Sequence, residues 1–182
     1  MSTSASAQTS LERPRQVTTV SKFNGDSTLV NDFQIISEAS PAAIKSAERM
    51  ASSSTLRFNQ TLMSAIDSRL GSRYVWGASG PHVFDCSGFV WSSFNEIGIN
   101  FTRVSARHLW ATFQPAREDE KFQFGTLVFF SGLTHVGIVA DANGFYHASR
   151  RHGVVYAPFN KYWLSRIDGF RRVPLASLEM AE

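Results

Sequence analysis

The chain of 182 residues holds one cysteine, Cys86, set in Asp85-Cys86-Ser87-Gly88-Phe89-Val90. The preceding residues, Trp76-Gly77-Ala78-Ser79-Gly80-Pro81, favour turns, and Phe89, Val90, Phe94 and Ile97 recur at helical spacing after it. The pattern predicts a helix that begins at the cysteine, with Asp85 as its cap. Backbone N–H groups in a first helical turn lack partners inside the helix, and the helix dipole adds partial positive charge there. Both effects favour thiolate over thiol and can bring a cysteine pKa from about 8.5 into the range of roughly 3.5–7.5. The plainer reading of Cys86 is a small buried side chain that only packs.

A nucleophilic cysteine needs a base to take its proton and return it to the leaving group, and imidazole titrates in a suitable range. It also needs a polar group that holds the imidazole in one tautomer. His135 stands at the start of the second of two apolar runs, Leu127–Phe130 and Val136–Ala140, which meet at Ser131-Gly132. His147 lies in Gly144-Phe145-Tyr146-His147-Ala148, a further short strand entered through the turn Asp141-Ala142-Asn143-Gly144. Either histidine alone reads as a hydrogen-bonded structural residue. A helix-borne cysteine facing a sheet with one histidine on each of two adjacent strands supplies all three groups.

These segments resemble a known family. Tyr74-Val75-Trp76-Gly77, Phe84-Asp85-Cys86-Ser87-Gly88-Phe89-Val90, Gly98-Ile99, Gly125–Phe130, His135-Val136-Gly137-Ile138-Val139 and Tyr146-His147-Ala148 follow the ordered motifs of the NlpC cell-wall cysteine peptidases, bacterial relatives of papain. The resemblance runs from about Leu62 to Val173. It implies an α+β, papain-like fold with the nucleophile helix packed on a small antiparallel β-sheet. It implies Cys86 as nucleophile, His135 as general base and His147 as the residue that orients His135. Tyr74 would stand beside the nucleophile. Asp85 and Ser87 flank Cys86 where some members contact the amino end of the substrate. The implied reaction is hydrolysis of an amide bond in peptidoglycan stem peptides, between D-glutamate and the following diamino acid, with no metal and no cofactor. One departure is Thr126, where many members carry aspartate; the change reads as structural or as a tuning of specificity. The same constellation would also suit an amidase or acyltransferase on another substrate. A non-catalytic wall-binding or assembly module would keep the fold and lose the chemistry.

Bulk properties fit one enzyme domain with an extension. A single cysteine excludes an internal disulfide, and no Cys/His cluster has zinc-ligand spacing. His82, His108 and His152 are scattered and read as surface or packing residues. The net charge of +3 is modest, and nucleic-acid binding would need a broader basic face. Arg150-Arg151-His152 and Arg171-Arg172 are local basic spots that read as solvated, or as attractors of an anionic wall or a carboxylate-bearing substrate. No run approaches the roughly 20 apolar residues of a membrane-spanning helix. The first ten residues lack the basic and apolar regions of a secretory signal. The expectation is therefore synthesis in the cytoplasm and delivery to the periplasm or wall by another route. An effector or phage role, with an immunity or delivery partner, fits that reading.

Three zones are expected. Residues 1–57 form an N-terminal extension, disordered over 1–22, with a weak helix from Ser40-Pro41 serving as a lid or, by preference, as a packing extension. The catalytic domain spans 58–175 and a tail follows over 176–182. Within the domain the reading is helices over 59–70, 86–97 and 105–113. Strands follow near 125–131, 135–140, 144–149, 153–158 and 168–173, the last two as edges. The Glu118–Lys121 charge run reads as an exposed loop.

Overall fold

The computed structural model describes residues 40–174. The expectations for residues 1–39 and for the tail lie outside the described residues. The chain opens with helix α1 (Pro41–Asp67), capped by Ser40, whose Oγ accepts from the Ala42 N–H with Pro41 in the first turn. This single helix joins the two helical segments that the sequence separates. No backbone break occurs at Phe58. Burial changes there instead: Pro41 to Arg57 are exposed, while Leu62, Ala65 and Ile66 are buried. The first half of α1 is thus not a packing extension.

After α1 come the short paired strands β1 (Arg73–Tyr74) and β2 (Val83–Phe84), then α2 (Cys86–Glu96) and α3 (Ala106–Thr112). A six-stranded sheet follows, with β3 (Gln114–Pro115), β4 (Leu127–Phe130), β5 (His135–Asp141), β6 (Gly144–Ser149), β7 (Gly153–Pro158) and β8 (Ile167–Arg172). A one-turn helix, α4 (Lys161–Leu164), stands between β7 and β8. The sheet order is β3-β8-β4-β5-β6-β7, and every pairing in it is antiparallel. Helices first and an antiparallel sheet afterwards make the expected α+β fold. Strand β8 is not an edge, because the two residues of β3 cover its outer side.

The apolar run Leu127-Val128-Phe129-Phe130 is buried on both faces of the sheet. Leu127 and Phe129 pack with Leu62, Phe89, Phe94 and Ile138 on the α1/α2 side. Val128 and Phe130 pack with Val139, Phe145 and Phe170 on the other. Arg69 ties α1 to α2: its guanidinium donates to Ala65 O, Ser92 O and Ser92 Oγ and pairs with Glu96 at 2.6 Å.

The charge run Glu118–Lys121 is not simply an exposed loop. Glu118–Glu120 forms a 3-10 turn, and the buried Glu120 carboxylate accepts from the Arg117 N–H and pairs with Arg172 at 2.9 Å. Arg171 lies 3.3 Å over the Trp110 ring and donates to Trp110 O. The Arg171-Arg172 spot is therefore engaged internally rather than free in solvent. Thr126 has a structural part as well, its hydroxyl donating to Glu120 O at 2.8 Å. Among the described residues no helix is long and apolar enough to cross a membrane.

Candidate active site

Asp85 caps α2 in extended backbone (φ −90°, ψ 179°), and its Oδ1 accepts from the Gly88 N–H at 2.6 Å. Its Oδ2 accepts from the Gly77 N–H at 2.9 Å, which pins the loop after β1 to the helix start. Gly77 adopts φ 78°, a conformation that favours glycine. Arg103 donates to both Asp85 oxygens at 2.8 Å, and also to Ser87 Oγ at 2.9 Å and Val104 O at 2.7 Å. Every lone pair of the cap is thus used within the protein. Gly88 is pressed against the backbone of Ala78, where a Cβ would collide.

These contacts set Cys86 as the first residue of α2, 6% exposed. Its Sγ lies 4.0 Å from Thr134 O, the thiol donating, and the Val136 N–H approaches the same sulfur. Cys86 therefore touches the backbone on both sides of His135. Among the described residues it makes no hydrogen bond to an imidazole; its S–H is parked on the Thr134 carbonyl. The expected lowering of its pKa is not found. Burial pushes the Cys86 thiol up, the Asp85 carboxylate adds to this, and the N–H groups of Val136, Ser87 and Cys86 pull the other way without prevailing.

The turn that delivers His135 is held from two sides. Asp168 on β8 accepts from the Gly132 N–H at 3.2 Å and the Leu133 N–H at 2.8 Å, and Arg107 donates to Gly132 O at 3.0 Å. Ser131 and Leu133 adopt positive φ of 56° and 63°, an unfavourable backbone that these bonds stabilise. Beyond the turn, His135 Nε2 meets His147 Nδ1 at 2.7 Å across adjacent strands, with the rings at 86°.

Trp163 packs on both histidines. It stacks on His135 at 5.8 Å and 22°, and meets His147 edge-on at 5.1 Å and 80°. Burial holds His135 down at about 4, with the Arg150 charge adding to the effect. Burial likewise holds His147 down at about 3, with His135 and His152 adding. Both imidazoles are therefore neutral at pH 7. If Nε2 of His135 donates to His147, Nδ1 of His135 keeps its lone pair, which is the form a general base needs.

A cleft of about 630 Å³ opens beside this pair, lined by Tyr74, Trp76, Thr134, His135, His147, Arg150, Arg151 and Trp163 among others. Tyr74 stands close enough to Cys86 for the charge of a thiolate to raise its phenol pKa, on which burial acts more strongly. Cys86, Asp85 and Ser87 do not line the cleft: Cys86 meets it through Thr134, whose carbonyl its thiol contacts, and Asp85 and Ser87 hold the helix start. A second cavity, of about 550 Å³ between α1 and the Thr126 turn, contains none of the cysteine or histidines. His82, His108 and His152 are exposed and stand apart from the cleft lining. No group of three metal-ligating side chains occurs among the described residues.

Trp163, Asp168 and Arg103 are absent from the sequence reading. Only Asn160, whose Oδ1 accepts from the Trp163 N–H and caps α4, offers a local signal for one of them.

The model of the NlpC/P60 family matches residues 71–172. A probable endopeptidase of Corynebacterium glutamicum is 32% identical over 134 residues, 68% of this chain and 63% of the relative. The bifunctional muramidase/DL-endopeptidase CwlT of Bacillus subtilis is 33% identical over 127 residues, 65% of this chain and 38% of the relative. The chain thus spans less than two thirds of the length of either relative. Among solved structures, a lipoprotein-like NLP/P60 protein from Staphylococcus aureus superposes with a TM-score of 0.56 at 32% identity, covering 63% of this chain and 41% of that one.

Proposed function

The chain belongs to the NlpC/P60 family, and from that premise we propose that it is a cysteine endopeptidase that hydrolyses an amide bond in peptidoglycan stem peptides. The observation that carries the reading is the seat of Cys86 Sγ at the head of α2, between Thr134 O and the Val136 N–H, the backbone neighbours of His135, whose ring is linked to that of His147. The D-glutamyl–diamino acid bond is the proposed target, in keeping with the DL-endopeptidase name of the Bacillus relative.

The reaction begins from a neutral cysteine and a neutral His135. A lone thiolate or a lone imidazolium is disfavoured in this buried setting, as both pKa shifts indicate. Moving the proton from sulfur to Nδ1 creates both charges together, and their attraction offsets part of each desolvation cost. Transfer is therefore coupled to attack, and begins when the thiol swings from Thr134 O to His135. Sulfur bonds to the amide carbonyl carbon, and the oxyanion accepts from N–H groups at the start of α2. The imidazolium gives its proton to the nitrogen as the C–N bond breaks, leaving a thioester. His135 then takes a proton from water, whose oxygen bonds to the acyl carbon as the C–S bond breaks, and the imidazolium returns that proton to the sulfur, restoring thiol and neutral base.

The test is mass spectrometry of fragments released from purified sacculi and defined muropeptides by wild-type chain and Cys86→Ala. Cleavage between D-glutamate and the diamino acid, lost in a folded Cys86→Ala, is the expected result. Release of sugar fragments alone, or undiminished cleavage by the variant, would refute it.

A further inference from the structure

The cleft beside the histidines is lined by two arginines and by no carboxylate. One of them, Arg150, is seated by aromatic rings. Its guanidinium carbon lies 5.8 Å from the Tyr74 ring centroid and 5.5 Å from that of Trp76. Such contacts restrain a long side chain; one Arg150 N–H is directed at the Tyr74 hydroxyl, and the remaining donors of the fork are left for a ligand. Arg69, Arg103, Arg117 and Arg172 all have acidic partners, whereas no ion pair among the described residues includes Arg150. Trp76 is itself 75% exposed, an unusual state for so large an apolar surface and one that suits a ligand-facing wall. The Tyr74–Trp76 segment is fixed to the nucleophile helix through the Gly77–Asp85 bond. The cation thus stands at a defined place relative to Cys86.

We infer that Arg150 is the specificity-determining residue of the cleft, taking the free carboxylate of the substrate residue that flanks the scissile amide. This rests on the peptidase reading and adds to it the charge that the site selects. A planar guanidinium can hold a carboxylate through two N–H donors, and such a pair is roughly twice as strong as a neutral hydrogen bond. The same pairing acts on the chemistry. Arg150 opposes positive charge on His135, adding to the effect of burial. A bound carboxylate neutralises it and makes the imidazolium easier to form, so the substrate charge raises turnover as well as binding.

The test uses two synthetic stem peptides that differ at one group: the carboxylate beside the scissile amide is free in one and capped as a carboxamide in the other. Wild type is expected to prefer the free carboxylate by about tenfold to a hundredfold in kcat/KM, with part of the preference in kcat. Arg150→Gln is expected to bring the ratio to about one. Arg151→Gln removes the same charge from the same cleft without removing the aromatic-seated cation, and is expected to keep the preference. A preference that survives Arg150→Gln, or that Arg151→Gln abolishes equally, overturns the assignment to Arg150. Equal cleavage of both peptides by wild type overturns the carboxylate claim alone, whereas cleavage of neither overturns the peptidase reading and this inference with it.

Discussion

His135 Nε2 and His147 Nδ1 are 2.7 Å apart, too close for both nitrogens to carry protons and too close for neither to do so. One proton joins two neutral rings, and its position determines whether His135 can act as a base. With the proton on His135 Nε2, Nδ1 is free to accept from Cys86.

Removing the rings should therefore have unequal effects. His135→Ala is expected to lower kcat by about 10²–10⁴-fold, the usual range for a lost general base. His147→Ala should lose less, since the base remains and only its tautomer and orientation are released. His147→Asn, whose amide oxygen can still accept the Nε2 proton, should retain more activity than His147→Ala. Steady-state kinetics on one defined muropeptide check this order. Equal losses in the two alanine variants would mean that the histidine roles are misassigned.

The raised Cys86 pKa predicts slow alkylation at neutral pH. The rate of reaction with iodoacetamide follows the thiolate, so it should climb through and beyond the ordinary cysteine value of about 8.5. A plateau already reached near pH 6 would show a stable thiolate–imidazolium pair in the resting enzyme and contradict the neutral resting state.

Acid should destabilise the fold. His135 and His147 are held at about 4 and about 3 when folded, below the ordinary histidine value of about 6.5. Between these values the unfolded chain binds protons that the folded chain does not. Stability is then unaffected by these groups above about pH 6.5 and falls as pH drops toward 4. The loss from pH 7 to pH 4.5 should be roughly 2–4 kcal/mol for the pair, allowing for the partial exposure of His135. Urea unfolding at the two pH values measures it. Trp163→Ala should admit water to both rings, raise both pKa values toward normal and shrink the difference.

Arg103 is expected to matter for the frame of the site rather than for contact with substrate. Arg103→Gln leaves the buried Asp85 carboxylate without its bidentate partner and should cost about 3 kcal/mol or more in unfolding free energy. Arg103→Lys should recover only part of it, since an ammonium cannot reach both oxygens and Ser87 in the same fork. A change below about 0.5 kcal/mol in Arg103→Gln would contradict the framing role.

Much of the site was legible in the sequence because its parts obey local rules. The helix start at Cys86 follows from Asp85 as a cap and from apolar spacing in the next eleven residues. The Asp141–Gly144 turn follows from an aspartate that accepts from the next N–H groups. The apolar runs that become β4 and β5 are continuous enough to read as buried strands. Such signals need only near neighbours, so order and spacing in the chain carry them.

Tertiary structure alone decided the rest. Arg103 stands 17 positions from Cys86, and Trp163 and Asp168 stand 28 and 33 positions from His135, so no pattern local to the cysteine or the histidine marks them. The proton state of Cys86 turned on burial by other elements and on how the Asp85 carboxylate is oriented, which reversed the inference drawn from a helix N-terminus alone. The interruption expected before Phe58 vanished because helix propagation needs only adjacent turns, whereas the onset of burial depends on where α2 and the sheet lie. Periodicity and capping act over a few residues and are written in the sequence; desolvation and the meeting of charges are properties of the assembled volume.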